Sequence, residues 1–317
     1  METMAVVLRD DGVEVFDRNR GRLFGIAYRM LGTRADAEDI VQDAYLRWHN
    51  ADRDEIGSAD AWLTTVVTRL SIDRLRKASV QRETYIGPWL PEPLIVDPSI
   101  SPEAAAELRS DVSLAFMVML QRLSPLERAV FLLHDVFDFA HAEIAKIVAK
   151  SETAVRQIVS RARARVRGGR PRFEAGPAER SDLIRKFVTA SYSGDPQTLT
   201  AIFADDIALT SDGGGKVNAA KRIVRGVKRL VNLHTVAVTK YGGRLSAYMI
   251  ELNGEPGLIE FADGIPFSAT SFSIEDGKIT AFYRVMNPDK LTAFVGLEEK
   301  LGGSLLSQRH GDDRHDQ

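Results

Sequence analysis

Five of the chain's twelve prolines, Pro88, Pro91, Pro93, Pro98 and Pro102, fall between residues 88 and 102. Proline lacks a backbone N–H, and its ring clashes with the preceding helical turn. A helix therefore cannot cross this window, and the backbone there must be extended or turning. A second break lies at Gly168-Gly169-Arg170-Pro171 and runs to Pro177. These two interruptions divide the 317 residues into three stretches with different hydrophobic periods. The pattern predicts a helical domain over 10–79, a Pro-rich linker over 80–107 and a second helical domain over 108–170. An α+β domain is predicted over 178–300, followed by a disordered tail over 301–317.

In the first stretch Leu23, Ile26, Ala27 and Met30 share one helical face, and Gly32 should end that helix. Thr33 is placed to cap the next one, in which Ala37, Ile40, Val41, Ala44, Tyr45 and Trp48 follow helical period. That spacing leaves Glu38, Asp39, Gln42, Asp43 and Arg47 on the outside. A polar loop, Asn50–Asp60, leads to a helix that begins around Trp62 and ends in Asp73-Arg74-Leu75-Arg76-Lys77. Beyond Arg180 the apolar residues alternate in short runs, and Glu275-Asp276-Gly277-Lys278 carries the Asp-Gly signal of a tight hairpin.

The second stretch holds the sharpest motif. Ala142–Val148 and Glu152–Arg161 are short amphipathic segments joined by Ala149-Lys150-Ser151, which reads as a helix-turn-helix with Ser151 as N-cap. Ala154, Val155, Ile158, Val159 and Ala162 form the inner face, and Thr153, Arg156, Gln157, Ser160 and Arg161 the outer one. Arginine and glutamine so placed match guanine and adenine edges in a major groove. From Lys146 to Arg172 there are nine basic residues, Arg163 among them, against one acid, Glu152, in a chain of net charge −2. That local excess is the electrostatic footprint that phosphate contacts require.

The absence of cysteine excludes disulfides, thiolate metal sites and cysteine nucleophiles. No apolar run is long enough to span a bilayer. The start Met1-Glu2-Thr3-Met4 lacks the basic-then-apolar order of a secretory signal. A cytoplasmic location with no membrane partner is expected by default, and no residue pattern calls for a metal or cofactor.

Phe24–Gly32 followed by Ala37-Glu38-Asp39-Ile40-Val41-Gln42-Asp43 resembles the polymerase-binding segment of bacterial sigma factors. Leu123-Ser124-Pro125-Leu126-Glu127-Arg128 and the helix-turn-helix after it resemble their upstream-promoter-reading domain. The order and spacing are those of the extracytoplasmic-function group, and together they cover about the first 170 residues. The remainder resembles a SnoaL-like domain, the cone-shaped fold of certain polyketide cyclases. Trp89-Leu90-Pro91-Glu92-Pro93, Asp212-Gly213-Gly214-Gly215-Lys216 and Asn287-Pro288-Asp289-Lys290-Leu291 match the subgroup that carries this extension. One departure is Ala149-Lys150, where the family's turn has a glycine. The implied fold class is multidomain: two all-α DNA- and polymerase-binding domains, the second with a helix-turn-helix, then an α+β SnoaL-like cone.

On periodicity alone, the acidic face of Asp39, Gln42, Asp43 and Arg47 is a solvated helix surface. The resemblance makes it the docking face for the clamp helices of the polymerase β′ subunit, with the β flap as a second contact of the core enzyme. Arg74, Arg76 and Lys77 offset a helix macrodipole equally well as they contact DNA; the resemblance implies the downstream promoter element. Ser151, Thr153, Arg156, Gln157, Ser160, Arg161 and Arg163 are the candidate upstream contacts. Trp48 and Trp62 read either as stacking platforms for bases or as core, and their place on the apolar stripe favours the core. Trp89, Pro91 and Pro93 form a stiff segment that reads either as a spacer or as a recognition element docking on the last domain. Asp212, Gly213, Gly214, Gly215 and Lys216 lack phosphate-loop spacing. They gain a regulatory role only by resemblance, with Asn287, Pro288, Asp289 and Lys290.

The implied function is a sigma factor that brings core RNA polymerase to promoter DNA and helps melt it. Its last domain would act in cis, with a small ligand there as a further partner. The alternative is a one-component helix-turn-helix regulator with a ligand-sensing SnoaL-like domain. The acidic docking helix separates the two, because a simple repressor has no use for it. An enzymatic cone is not expected: His234, Asp212 and Asp263 are the available titratable groups, and fold does not imply chemistry.

Overall fold

The structure is a computed structural model that describes residues 3–95, 113–167, 176–241, 244–301 and 305–308. Pro98, Pro102, Arg170 and Arg172 lie outside the described residues. The chain forms two compact units. Among the described residues, the first comprises those up to Glu83 and from Phe116 to Arg167. The second comprises Thr84–Ile95, Ser113–Ala115 and everything from Gly176.

The first unit begins with α1 (Thr3–Leu31), α2 (Arg34–His49) and α3 (Ala59–Arg82). Gly32 takes φ 81°, which L side chains rarely adopt, and so ends α1. Thr33 then caps α2 by accepting from the Asp36 N–H. Ala37, Ile40, Val41, Ala44 and Trp48 are the buried stripe of α2. Trp48 is core: its ring N–H donates to the Gly12 carbonyl at 2.7 Å, and it packs against Trp62 with ring centres 5.7 Å apart.

After α4 (Leu114–Leu120), Ser124 and Glu127 form a reciprocal capping box that starts α5 (Pro125–Asp135). The helix-turn-helix follows as α6 (His141–Val148) and α7 (Glu152–Arg167). The turn forms without glycine because Ala149 itself takes φ 52°. Ser151 caps α7, its hydroxyl accepting from the Ala154 N–H at 3.2 Å. Val130, Leu133, Ile144, Ile147, Val155, Ile158 and Val159 form the small core that fixes the two helices.

Arginines in this unit cap helix ends, and two of them, Arg128 and Arg69, do so across its two helical halves. Arg128 on α5 donates to the Met30 and Leu120 carbonyls at 2.7 and 3.0 Å. Arg82 on α3 reaches the Leu31 carbonyl at 2.8 Å, and Arg69 reaches the Ile147 carbonyl at 2.8 Å. These carbonyls carry the negative end of a helix dipole and lack intrahelical partners. The Arg82 contacts, including one to Gln121 at 2.8 Å, also carry α3 to residue 82. The linker therefore leaves the first domain later than residue 80.

The second unit holds α8 (Pro177–Ser193), α9 (Pro196–Ile202), β1 (Phe203–Asp212), β2 (Val224–Arg225) and α10 (Val227–Tyr241). The meander β3 (Leu245–Leu252), β4 (Glu255–Ala262), β5 (Ile265–Glu275) and β6 (Lys278–Val285) follows, and β7 (Leu305–Gln308) completes a sheet of order β2-β1-β6-β5-β4-β3-β7. β1 runs parallel to β6, and the other pairs are antiparallel. Asn253-Gly254, Asp263-Gly264 and Asp276-Gly277 all take positive φ, the geometry of two-residue hairpins. One sheet face, with Leu258, Phe272 and Phe282, packs with Phe187, Leu199 and Leu230 of the three helices. This is the expected α+β architecture. The expectation of disorder over 301–317 fails at Leu305–Gln308, which pairs with β3 and packs Leu306 against the core. Residues 302–304 and 309–317 lie outside the described residues. Among the described residues no helix is long and apolar enough to cross a membrane.

Candidate nucleic-acid interface and linker dock

Three surfaces carry the residues singled out from the sequence. On α7, Thr153, Arg156, Gln157, Ser160 and Arg161 are all exposed, as is Ser151 before them, while Val155, Ile158 and Val159 face the core. Arg156 pairs with Glu152 one turn earlier at 2.5 Å. Arg163 is more constrained. Its guanidinium forms a forked pair with the Asp135 carboxylate of α5, the Nε contact at 2.9 Å, and touches His134 Nδ1 at 3.2 Å. The Arg163 guanidinium and its hydrogen bonds, with His134 beside it, hold the half-buried Asp135 carboxyl below its ordinary range against the opposing effect of burial.

On α2, Asp39, Gln42, Asp43 and Arg47 are exposed along one face. Leu46 lies among them and is 51% exposed, a residue the sequence reading passed over. The signal was available, because Leu46 is an apolar side chain off the buried stripe. Arg74 on α3 does not stand apart from this patch. It donates to Asp36 and to Asp39, both at 2.8 Å. Arg76 and Lys77 are exposed beyond it.

The third surface is where the linker meets the last domain, within the second unit. Asp212, at the end of β1, is fully buried. Its carboxylate accepts from the Tyr85 hydroxyl at 2.6 Å, the Leu90 N–H at 2.9 Å, the Gly214 N–H at 3.1 Å and Lys290 Nζ at 2.7 Å. The Lys290 ammonium also lies 4.0 Å from the centre of the Trp89 ring and donates to the Leu90 carbonyl at 2.5 Å. Asn287 donates to the Tyr85 hydroxyl at 2.9 Å. Burial and the neighbouring Asp212 carboxylate raise the Tyr85 phenol above its ordinary range, so it stays a proton donor. Gly214 is at φ 60°, and a Cβ there would come within 2.4 Å of Asn287 Nδ2. Further along, Leu94 and Asn253 exchange two hydrogen bonds, at 3.0 and 2.8 Å. Pro91 and Pro93 are buried.

Not every residue expected here touches the linker. Lys216 and Asp289 form an exposed ion pair with each other at 2.6 Å, and Pro288 is exposed. Gly213 is buried, whereas Gly215 at φ 73° does meet the linker, at Ile86. Tyr85, Asn253 and Leu94 were missed from the sequence, because nothing local marks a tyrosine or a hairpin asparagine as a long-range partner.

The three titratable groups considered for catalysis do not converge. His234 sits among Phe187, Phe203 and Phe282, and burial drives its pKa down to about 3. Asp212 is committed to the linker, and Asp263 pairs with Arg244 at the surface. A different polar group crosses the sheet. Glu260 accepts from Arg284 at 3.0 Å, Ser268 at 2.5 Å and Tyr192 at 3.3 Å.

Residues 15–80 match Sigma-70 region 2, and residues 113–166 match Sigma-70, region 4. The chain is 39% identical over 296 residues to the ECF RNA polymerase sigma factor SigJ of Mycobacterium tuberculosis, a match that covers 88% of this chain and 93% of that protein. It is 30% identical over 291 residues to the probable ECF RNA polymerase sigma factor SigI of the same species, covering 90% and 95%. The crystal structure of SigJ superposes with a TM-score of 0.73 at 37% identity, covering 88% of this chain and 98% of that one.

Proposed function

This chain belongs to the extracytoplasmic-function RNA polymerase sigma factors, and from that premise we propose how its surfaces divide the work. A sigma factor directs core polymerase to promoters and starts transcription without catalysing a reaction of its own. The exposed face of Asp39, Gln42, Asp43 and Arg47, with Leu46 at its centre, docks on the β′ clamp helices. An apolar residue ringed by charge is the usual anatomy of a docking centre. The domain that carries the helix-turn-helix binds the β flap. Arg156 and Gln157 read bases of the upstream element, and Ser151, Thr153, Ser160, Arg161 and Arg163 hold its backbone. Arg74, Arg76 and Lys77 contact the downstream element.

The last domain acts in cis by holding the linker. The observation that supports this is the Asp212 carboxylate, buried at the meeting point of two donors from the linker and one from Lys290. Removing one partner from such a buried charged network is costly, so loss of any one donor should weaken the whole dock. Run-off transcription with core polymerase and the Asp212→Asn chain tests it. A changed yield at equal promoter occupancy supports control by the dock. A yield equal to the parent's refutes it.

A further inference from the structure

A concave site of about 320 Å³ opens on the helix-turn-helix, lined by His141, Arg156, Val159, Ser160, Arg163 and Ala164. His141 begins α6, and the other lining residues belong to α7. In a helix-turn-helix the first helix crosses the DNA backbone while the second lies in the groove. A concavity shared by both helices, with the Arg163 guanidinium, the Ser160 hydroxyl and the His141 imidazole among its walls, offers donors suited to a backbone phosphate, and Arg156 on the same wall remains the base-reading side chain. Arg163 is held in place from behind by Asp135, so part of the site is formed before DNA arrives. We infer that this site seats one backbone phosphate of the promoter and that His141 contributes a contact to it that depends on protonation. The inference rests on the DNA-reading role assigned above to α7.

The surroundings of His141 set the direction of the effect. From α5 it faces His134, ring centres 4.4 Å apart, with Asp135 behind. From α7 it faces Arg156, Arg163 and Glu152, and Glu143 lies on its own helix. Burial, then His134 and Arg156, hold the imidazole below its ordinary pKa in the free chain. A phosphate in the site favours the imidazolium and raises it. Binding then takes up a proton, so affinity rises as pH falls through the window between the free and bound values. His134 is less suited to the role, because its Nδ1 is engaged with Asp135 and Arg163.

Phosphate contacts are blind to sequence, so a labelled DNA duplex of arbitrary sequence is a sufficient probe. Its affinity for the full-length chain is measured by anisotropy at one fixed low salt concentration across pH 6–8. The parent should bind about three- to tenfold more tightly at the acid end, since one coupled proton allows at most about tenfold per pH unit. His141→Gln should flatten that response, His141→Lys should bind tightly at every pH, and His134→Gln should keep the parent's slope. A His141→Gln slope equal to the parent's overturns the inference while leaving the DNA-reading helix intact. A slope lost in His134→Gln alone overturns it in favour of the other imidazole. A parent chain that binds duplex at no pH overturns the DNA-reading role and this inference with it.

Discussion

Tyr85 donates its phenolic hydrogen to the buried carboxylate of Asp212 at 2.6 Å, although 127 residues separate them in the chain. The bond ties the start of the linker to the end of β1. It makes the linker part of the same compact unit as the α+β domain.

Tyr85→Phe should therefore loosen the dock without unfolding the domain. It removes one of four donors to Asp212 and leaves the Lys290 contact in place. Trp89→Ala removes the ring beneath the Lys290 ammonium. Both should shift run-off transcription in the same direction. Lys216→Ala should shift it much less, because an exposed ion pair contributes only ~0–1 kcal/mol. A Lys216→Ala effect as large as that of Tyr85→Phe would mean the loop acts through some other contact.

Asp39→Arg with Asp43→Arg should abolish association with core polymerase at a small cost in stability, because the Arg74–Asp39 pair that it breaks is exposed. Leu46→Asp should weaken the same association on its own. The readout is recovery of core enzyme in a pull-down beside a thermal melt. Normal recovery of the double reversal would remove this face from the docking account.

Arg156→Ala and Gln157→Ala should each cost about 1–3 kcal/mol in binding the upstream element and relax base preference there. Arg163→Ala should weaken binding to all sequences alike. Competition binding with single-base variants of the element separates the two behaviours. Unchanged preference in Arg156→Ala would place α7 differently on the DNA.

The fold was legible where short-range chemistry dictates it. Thr33 and Ser151 as caps, Gly32 as a stop and Asp276-Gly277 as a hairpin were all readable from neighbours in sequence, and the structure uses each. Trp48 was legible as core from its place on the stripe. What was not legible depends on distance. The guanidinium of Arg128 reaches Met30 across 98 residues, and that of Arg163 reaches Asp135 across 28. Charge alone marked Arg163 as a DNA contact and could not show its pairing with Asp135. The loop Asp212–Lys216 was recognisable only by resemblance, and the sequence could not say that Asp212 turns inward to the linker while Lys216 turns outward to Asp289. Leu305–Gln308 was hidden by its polar surroundings, because an added edge strand draws its stability from a partner far away in sequence.

His234 gives the α+β domain an acid sensitivity. Its folded pKa of about 3 lies below the ordinary 6.5, so the unfolded chain binds a proton that the folded chain does not between those values. The stabilisation is fully present above about pH 6.5 and is lost progressively as pH falls towards 3. His234→Leu should flatten that part of the stability profile. Denaturant melts of parent and variant from pH 7 to pH 4 check this, and parallel profiles would show that the imidazole is not what titrates.

This chain confers promoter-directed initiation on core RNA polymerase. The most direct measurement is transcription from a matched promoter by purified core polymerase, with and without the chain. Specific run-off product only when the chain is added, lost with Asp39→Arg plus Asp43→Arg, is the predicted result. Equal product with and without the chain, or repression when it is added, would contradict the account.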